Sequence, residues 1–127
     1  MPALNFKAEF APEIVAGRKT QTIRAPRRDG RPTATVGSRL YLYSGLRTKG
    51  ARKLGEAVCT RTAQVVITVE RDLLINGRRM LPTDADLFAM RDGFKCESDL
   101  IDWFASVHGL PFEGSLIEWD QTEEPSI

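Results

Sequence analysis

A chain of 127 residues, 42% hydrophobic and 28% charged, has room for one domain and one core. Its 18 Lys+Arg nearly cancel its 17 Asp+Glu, and the resulting +1 speaks against a simple polybasic nucleic-acid binder. No apolar run approaches the roughly 20 residues that span a bilayer, and the start alternates Phe with Lys, which excludes a membrane-spanning or signal-peptide reading.

Alternation over Ala3–Phe10 puts Leu4, Phe6, Ala8 and Phe10 on one face and predicts a half-buried strand. Pro12 opens a short helix over Pro12–Ala16, which Gly17 stops. Gln21–Arg24 is short and extended, and Arg27–Val36, rich in Arg, Gly and Pro, reads as a surface loop. Arg39–Tyr43 is a strand, Gly45–Gly55 a basic loop, and Glu56–Val69 one long or bulged β-branched strand. The run from Asp72 to Leu81 predicts a hairpin turning on Asn76-Gly77. A helix follows over Pro82–Arg91, with Thr83 and Asp86 placed like a capping box, and Gly93 closes it. Ser98 reads as the cap of a second helix, Asp99–His108, whose apolar stripe is Leu100, Ile101, Phe104 and Val107. Gly114–Trp119 returns as a strand. The sum is an α+β fold, a small mixed barrel with short helices, over residues 1–120, with a polar tail at 121–127.

Scarce residues narrow the chemistry. One histidine and two cysteines cannot supply a four-ligand zinc site or a zinc deaminase, so no metal and no cofactor are expected. His108 falls at a helix end, where an imidazole typically meets the last carbonyls, rather than in a triad. Cys59 and Cys96 read as small reduced fillers, which suits a cytoplasmic protein. Lys, Thr/Ser and carboxylates are left to carry any reaction.

Charge is not spread evenly. Between Gly17 and Arg61 twelve bases face two acids, a local +10, whereas from Pro82 onward eleven acids face two bases, a local −9. This asymmetry predicts a cationic face that meets an anion, unless the halves merely neutralise each other across the fold. Arg24, Arg47, Lys49 and Arg52 are the candidate phosphate contacts, with Tyr43 beside Tyr41 as a candidate stacking platform.

The segment Gly17-Arg-Lys-Thr-Gln-Thr-Ile-Arg24 stands out. Lys19 and Thr22 would face opposite ways in an unbroken strand, but a turn at Gly17 lets both line one cleft. Burial and the neighbouring Arg18 and Arg24 favour a neutral amine on Lys19, which could activate a threonine hydroxyl without histidine. Read from spacing alone, the same residues also fit a turn with solvated cations.

Together Ile14-Val-Ala-Gly-Arg-Lys-Thr-Gln-Thr-Ile-Arg24 and Val36-Gly-Ser-Arg-Leu-Tyr-Leu-Tyr43 resemble ASCH-domain proteins of the PUA-like superfamily. Gly45-Leu-Arg-Thr-Lys-Gly-Ala-Arg-Lys-Leu-Gly55, Met90-Arg-Asp-Gly-Phe94, Trp103-Phe104 and His108-Gly-Leu-Pro-Phe-Glu-Gly114 are similar to a phage and prophage branch. The resemblance implies a PUA-like β-barrel and RNA or a modified nucleoside as partner, in a monomer or weak dimer. By similarity to bacterial acetylcytidine amidohydrolases it implies Lys19 as proton acceptor, Thr22 as nucleophile and Asp92, where that family has glutamate, as acid. A non-catalytic RNA-binding module and a single-strand ribonuclease are the alternatives the resemblance leaves open.

Overall fold

The computed structural model describes residues 3–121. Seven strands form one sheet: β1 (Ala3–Phe6), β2 (Gln21–Arg24), β3 (Arg39–Ser44), β4 (Arg52–Ile67), β5 (Leu73–Ile75), β6 (Arg78–Arg79) and β7 (Phe112–Gln121). Three short helices accompany them: α1 (Ala11–Val15), α2 (Pro82–Arg91) and α3 (Glu97–Val107). Of the expected tail, Gln121 belongs to β7, and residues 122–127 lie outside the described residues.

The 16-residue β4 organises the sheet. One of its edges takes β3 and then β5, the other takes the length of β7, and β2 and β1 add outside β7 and β3. All the pairs are antiparallel except β1 with β3. Register shifts at Leu42/Tyr43 and at Cys59/Arg61 let the long strand bend, as bulges do. The sheet therefore curls, yet it does not close into the expected barrel. Strands β1 and β2 are the two ends of the path β1-β3-β4-β7-β2 and do not pair with each other. A cavity lined by both strands opens between them instead of a backbone ladder.

Two apolar clusters flank the sheet. Inside the curl, Phe6, Ile14, Leu40, Leu42, Ile117 and Trp119 pack together. On the other side Val65, Ile67 and Leu116 meet Phe88 of α2 and Leu100 and Phe104 of α3. Alternation along β1, β3 and β7 supplies one residue in two to such a face.

Several local expectations are corrected. β1 stops at Phe6, because Ala8–Phe10 form a 3-10 turn that swings Phe10 against Phe94 and Trp103 at centroid distances of 5.6 and 6.0 Å. The loop after β3 ends earlier than Gly55: β4 begins at Arg52, and Leu54 is buried. Neither Thr83 nor Ser98 caps a helix; Leu81 and Cys96 hold those positions without side-chain bonds. Asp86 instead accepts the Glu97 N–H at 2.9 Å, so the α2 carboxylate serves the start of α3. The Asn76-Gly77 hairpin forms as expected, with φ of 51° and 81° and the pair Ile75/Arg78 closing it.

Gly114 sets the spacing between β7 and β2. A Cβ there would lie 2.4 Å from the Arg24 carbonyl oxygen and 2.8 Å from Phe112 Cζ. Because the first obstacle is backbone, Gly114→Ala is expected to cost about 1–3 kcal/mol. Chemical denaturation reads this directly, and an unchanged midpoint would show that the strands separate freely.

Candidate active site

A cavity of about 300 Å³ opens in the seam between β1 and β2. Asn5 and Phe6 line it from β1, Thr22, Ile23 and Arg24 from β2, Lys19 from the segment between α1 and β2, and Asp92 from the C-cap of α2. Phe10, Phe94, Trp103 and His108 complete an aromatic wall.

The chain turns through Gly17 at φ 79°, a left-handed conformation natural to glycine, after α1. Lys19 N–H then bonds the Glu13 carbonyl at 3.0 Å and Thr20 N–H the Arg91 carbonyl at 2.8 Å. These bonds hold Lys19 outside the strand ladder, so it shares a cavity with Thr22 despite the odd spacing. Gly93, at φ 94°, follows Asp92 at the end of α2; a Cβ on it would come within 3.3 Å of both Lys19 Cδ and Phe10 Cδ1. The absent side chain is what lets the lysine stem lie against the helix terminus.

Lys19 and Asp92 form a pair that is almost wholly buried, at 2% and 3% exposure. Lys19 Nζ donates to the Asp92 backbone carbonyl at 2.6 Å and lies 3.5 Å from Asp92 Oδ2. Gln21 Nε2 donates to Asp92 Oδ1 at 3.2 Å. The amine also lies 4.8 Å from the Phe10 ring centroid and 5.7 Å from that of Phe6. Burial in this apolar setting lowers the Lys19 pKa, against the attraction of Asp92 and with help from Arg24. Burial likewise raises Asp92, opposed by Lys19, Gln21 and Arg24. Both shifts drive the pair toward a neutral amine and a protonated acid.

Thr22 Oγ1 accepts a hydrogen bond from Arg24 Nε at 3.2 Å, and the Arg24 guanidinium lies 4.7 Å from the Phe6 ring centroid. This leaves the threonine proton available and its oxygen polarised by a cation. Lys19 Nζ bonds Asp92 rather than Thr22, although both line the cavity.

Of the residues expected from sequence, Lys19, Thr22, Arg24 and Asp92 are brought together. Tyr43, Arg47, Lys49 and Arg52 do not line the cavity. Tyr43 sits opposite Asn5 in the β1–β3 register, and Lys53 Nζ lies 5.5 Å from the Tyr41 ring centroid. Arg47, Lys49 and Arg52 are exposed in or beside the loop after β3, and among the described residues none has a carboxylate within 4.0 Å. That loop is anchored at the cavity rim, since Leu46 N–H bonds Asn5 Oδ1 at 2.9 Å. His108 is the C-cap residue of α3 and stacks on Phe104 at 5.6 Å. Sequence reasoning missed Gln21 and the aromatic wall. Gln21 left a signal: it shares parity with the core residue Ile23 in a strand, an unusual place for an amide.

This curled mixed sheet with its short helices has the fold of a solved ASCH structure. The chain is similar to the crystal structure of ASCH from Zymomonas mobilis, with 18% identity over 93% of this chain, a TM-score of 0.55, and 65% of that chain covered. A serine-to-alanine mutant of the same Zymomonas protein superposes with a TM-score of 0.54 at 19% identity, covering 93% of this chain and 66% of that one. The chain thus spans about two thirds of the length of these structures. No family model matches it, and no curated protein matches it in sequence. Among the described residues, no helix is long and apolar enough to cross a membrane, and no three His, Cys, Asp or Glu side chains cluster as metal ligands.

Proposed function

We propose that the seam cavity hydrolyses an amide-type acyl group on the base of a nucleoside or of RNA, an acylated cytidine being the model substrate. The observation that carries this reading is the buried Lys19–Asp92 pair beside Thr22, in which burial favours a basic amine and a protonated acid. Amide hydrolysis needs those two protonation states together, one to take a proton and one to give one.

In the proposed sequence Lys19 Nζ turns from Asp92 and accepts the Thr22 Oγ1 proton as that oxygen bonds the acyl carbon. The C–N bond then breaks while Asp92 protonates the departing amine. Water then adds to the threonine ester, giving one proton to Asp92 and its hydroxyl to the acyl carbon, and the carboxylic acid leaves as Lys19 returns its proton to Thr22 Oγ1. Arg24, already hydrogen-bonded to Thr22, is placed to stabilise the oxyanion. The aromatic wall of Phe10, Phe94 and Trp103 suits a planar base. A panel of acylated cytidines incubated with the protein tests the reading; substrate returned intact across the panel contradicts it.

One observation favours a second reading, a non-catalytic RNA-binding module: the exposed cations Arg47, Lys49 and Arg52 belong to a loop anchored at the cavity rim. RNA affinity falling steeply with salt, and weakened by Arg47→Ala plus Arg52→Ala, is the result expected of it.

A further inference from the structure

Gln21 is fully buried, at 0% exposure, yet its amide is only half satisfied. Nε2 donates to Asp92 Oδ1 at 3.2 Å, whereas Oε1 has no partner among the described residues. Buried side-chain amides that serve packing alone normally have both ends bonded, because an unpaired acceptor costs desolvation energy with no return. Gln21 does not line the cavity; it reaches Asp92 from within the protein, with its backbone in register opposite Glu118 of β7. Lys19 does not duplicate its contact, since the lysine is 3.5 Å from the other carboxyl oxygen and makes its short bond to the Asp92 backbone.

We infer that Gln21 is a positioning residue for Asp92 which serves both protonation states of that carboxyl through the two ends of one amide. With Asp92 ionised, Nε2 donates to Oδ1. With Asp92 protonated, half a turn about the last side-chain bond puts Oε1 in the place of Nε2, where it accepts the Oδ1–H proton. Either way one amide end is bonded and one is not, so neither state is strongly preferred and the turn is cheap. A donor-only partner such as lysine would hold the carboxylate and oppose the acid. No bond other than hydrogen bonds changes, and the proton belongs to Asp92 throughout. Lys19 and Arg24 are the charged groups that face Asp92 besides this amide.

The inference rests on the acid role proposed for Asp92, and its test is chosen to stand apart from turnover. Titration of the Asp92 carboxyl carbon by NMR is compared in wild type, Gln21→Met and Gln21→Asn. Because the amide bonds both forms of the carboxyl, its loss is expected to leave the midpoint within about half a unit of wild type in both variants, whereas loss of a donor-only contact would raise it by about one unit. In wild type the Gln21 side-chain NH₂ resonances are expected to shift with the same midpoint. A midpoint raised by about one unit or more in the variants, or NH₂ resonances indifferent to the Asp92 titration, overturns the inference. Where the panel yields a substrate, the exchange of one methylene gives a second readout. Gln21→Asn is expected to lower kcat ~10²-fold, as a misplaced catalytic group does. Gln21→Asn with Asp92→Glu is expected to recover at least tenfold of that loss, and a double variant no better than the single one contradicts the positioning role. If no acylated nucleoside is turned over, the reading of the site fails while the titration still decides the role of Gln21.

Discussion

Thr22→Ala is expected to lower kcat on an acylated cytidine ~10⁴-fold or more, and Lys19→Ala ~10²–10⁴-fold, with the fold intact in both. The difference in range follows from the roles. Removing the threonine deletes the atom that bonds the acyl carbon, so only water attack assisted by Arg24 is left. Removing the lysine leaves that nucleophile, still hydrogen-bonded to Arg24 Nε at 3.2 Å, without its proton acceptor. The double variant is expected to be hardly worse than Thr22→Ala alone, because the two groups act on one proton and their losses do not add. Circular dichroism and thermal unfolding check the fold, and steady-state kinetics the rates. If Thr22→Ala retained wild-type turnover, another nucleophile would be at work.

Lys19→Met with Asp92→Asn is expected to raise stability by about 1–4 kcal/mol while abolishing turnover. Both native side chains are nearly sealed from solvent, and their burial is costly in opposite senses. The Lys19 pKa is depressed, so the unfolded chain binds more protons than the native one, and stability from this residue recovers as pH rises toward the ordinary 10.5. The Asp92 pKa is raised, so the native chain binds more protons above the ordinary 3.8, and its contribution falls as pH rises through the shifted value. Wild-type stability near neutral pH therefore carries both penalties. The paired substitution removes the charges, keeps an acceptor for Gln21 Nε2, and puts a thioether against Phe6 and Phe10. Denaturation followed across pH should show both slopes in wild type and neither in the variant. A variant less stable than wild type at neutral pH would mean that the native pair stabilises the fold.

Much of this was legible in the residues themselves. The hairpin at Asn76-Gly77 announces itself because few dipeptides accept positive φ twice in succession. Lys19, Thr22 and Arg24 were visible as a dense polar run after a glycine stop. The open seam was not visible, because whether β1 and β2 pair depends on what fills the space between them, and that includes Asp92, 70 residues downstream of Thr22. The α2 and α3 starts were misread because Asp86 finds its donor on another helix, a tertiary choice with no local signature. Phe10 looked like an ordinary inward position of a strand until the 3-10 turn carried it against Trp103 at the cavity wall. The near-neutral total charge concealed a compact arrangement in which Arg24 and Lys19 share one buried carboxylate.

The protonation of the Lys19–Asp92 pair at neutral pH is the point on which the account turns. Nitrogen NMR of Lys19 Nζ, read with the Asp92 carboxyl carbon in the same sample at pH 7, measures it directly. A neutral amine beside a protonated acid is the predicted result. An ammonium with all three protons beside an ionised carboxylate would contradict it, because Lys19 could then not take the Thr22 proton and Asp92 could not give one to a leaving amine.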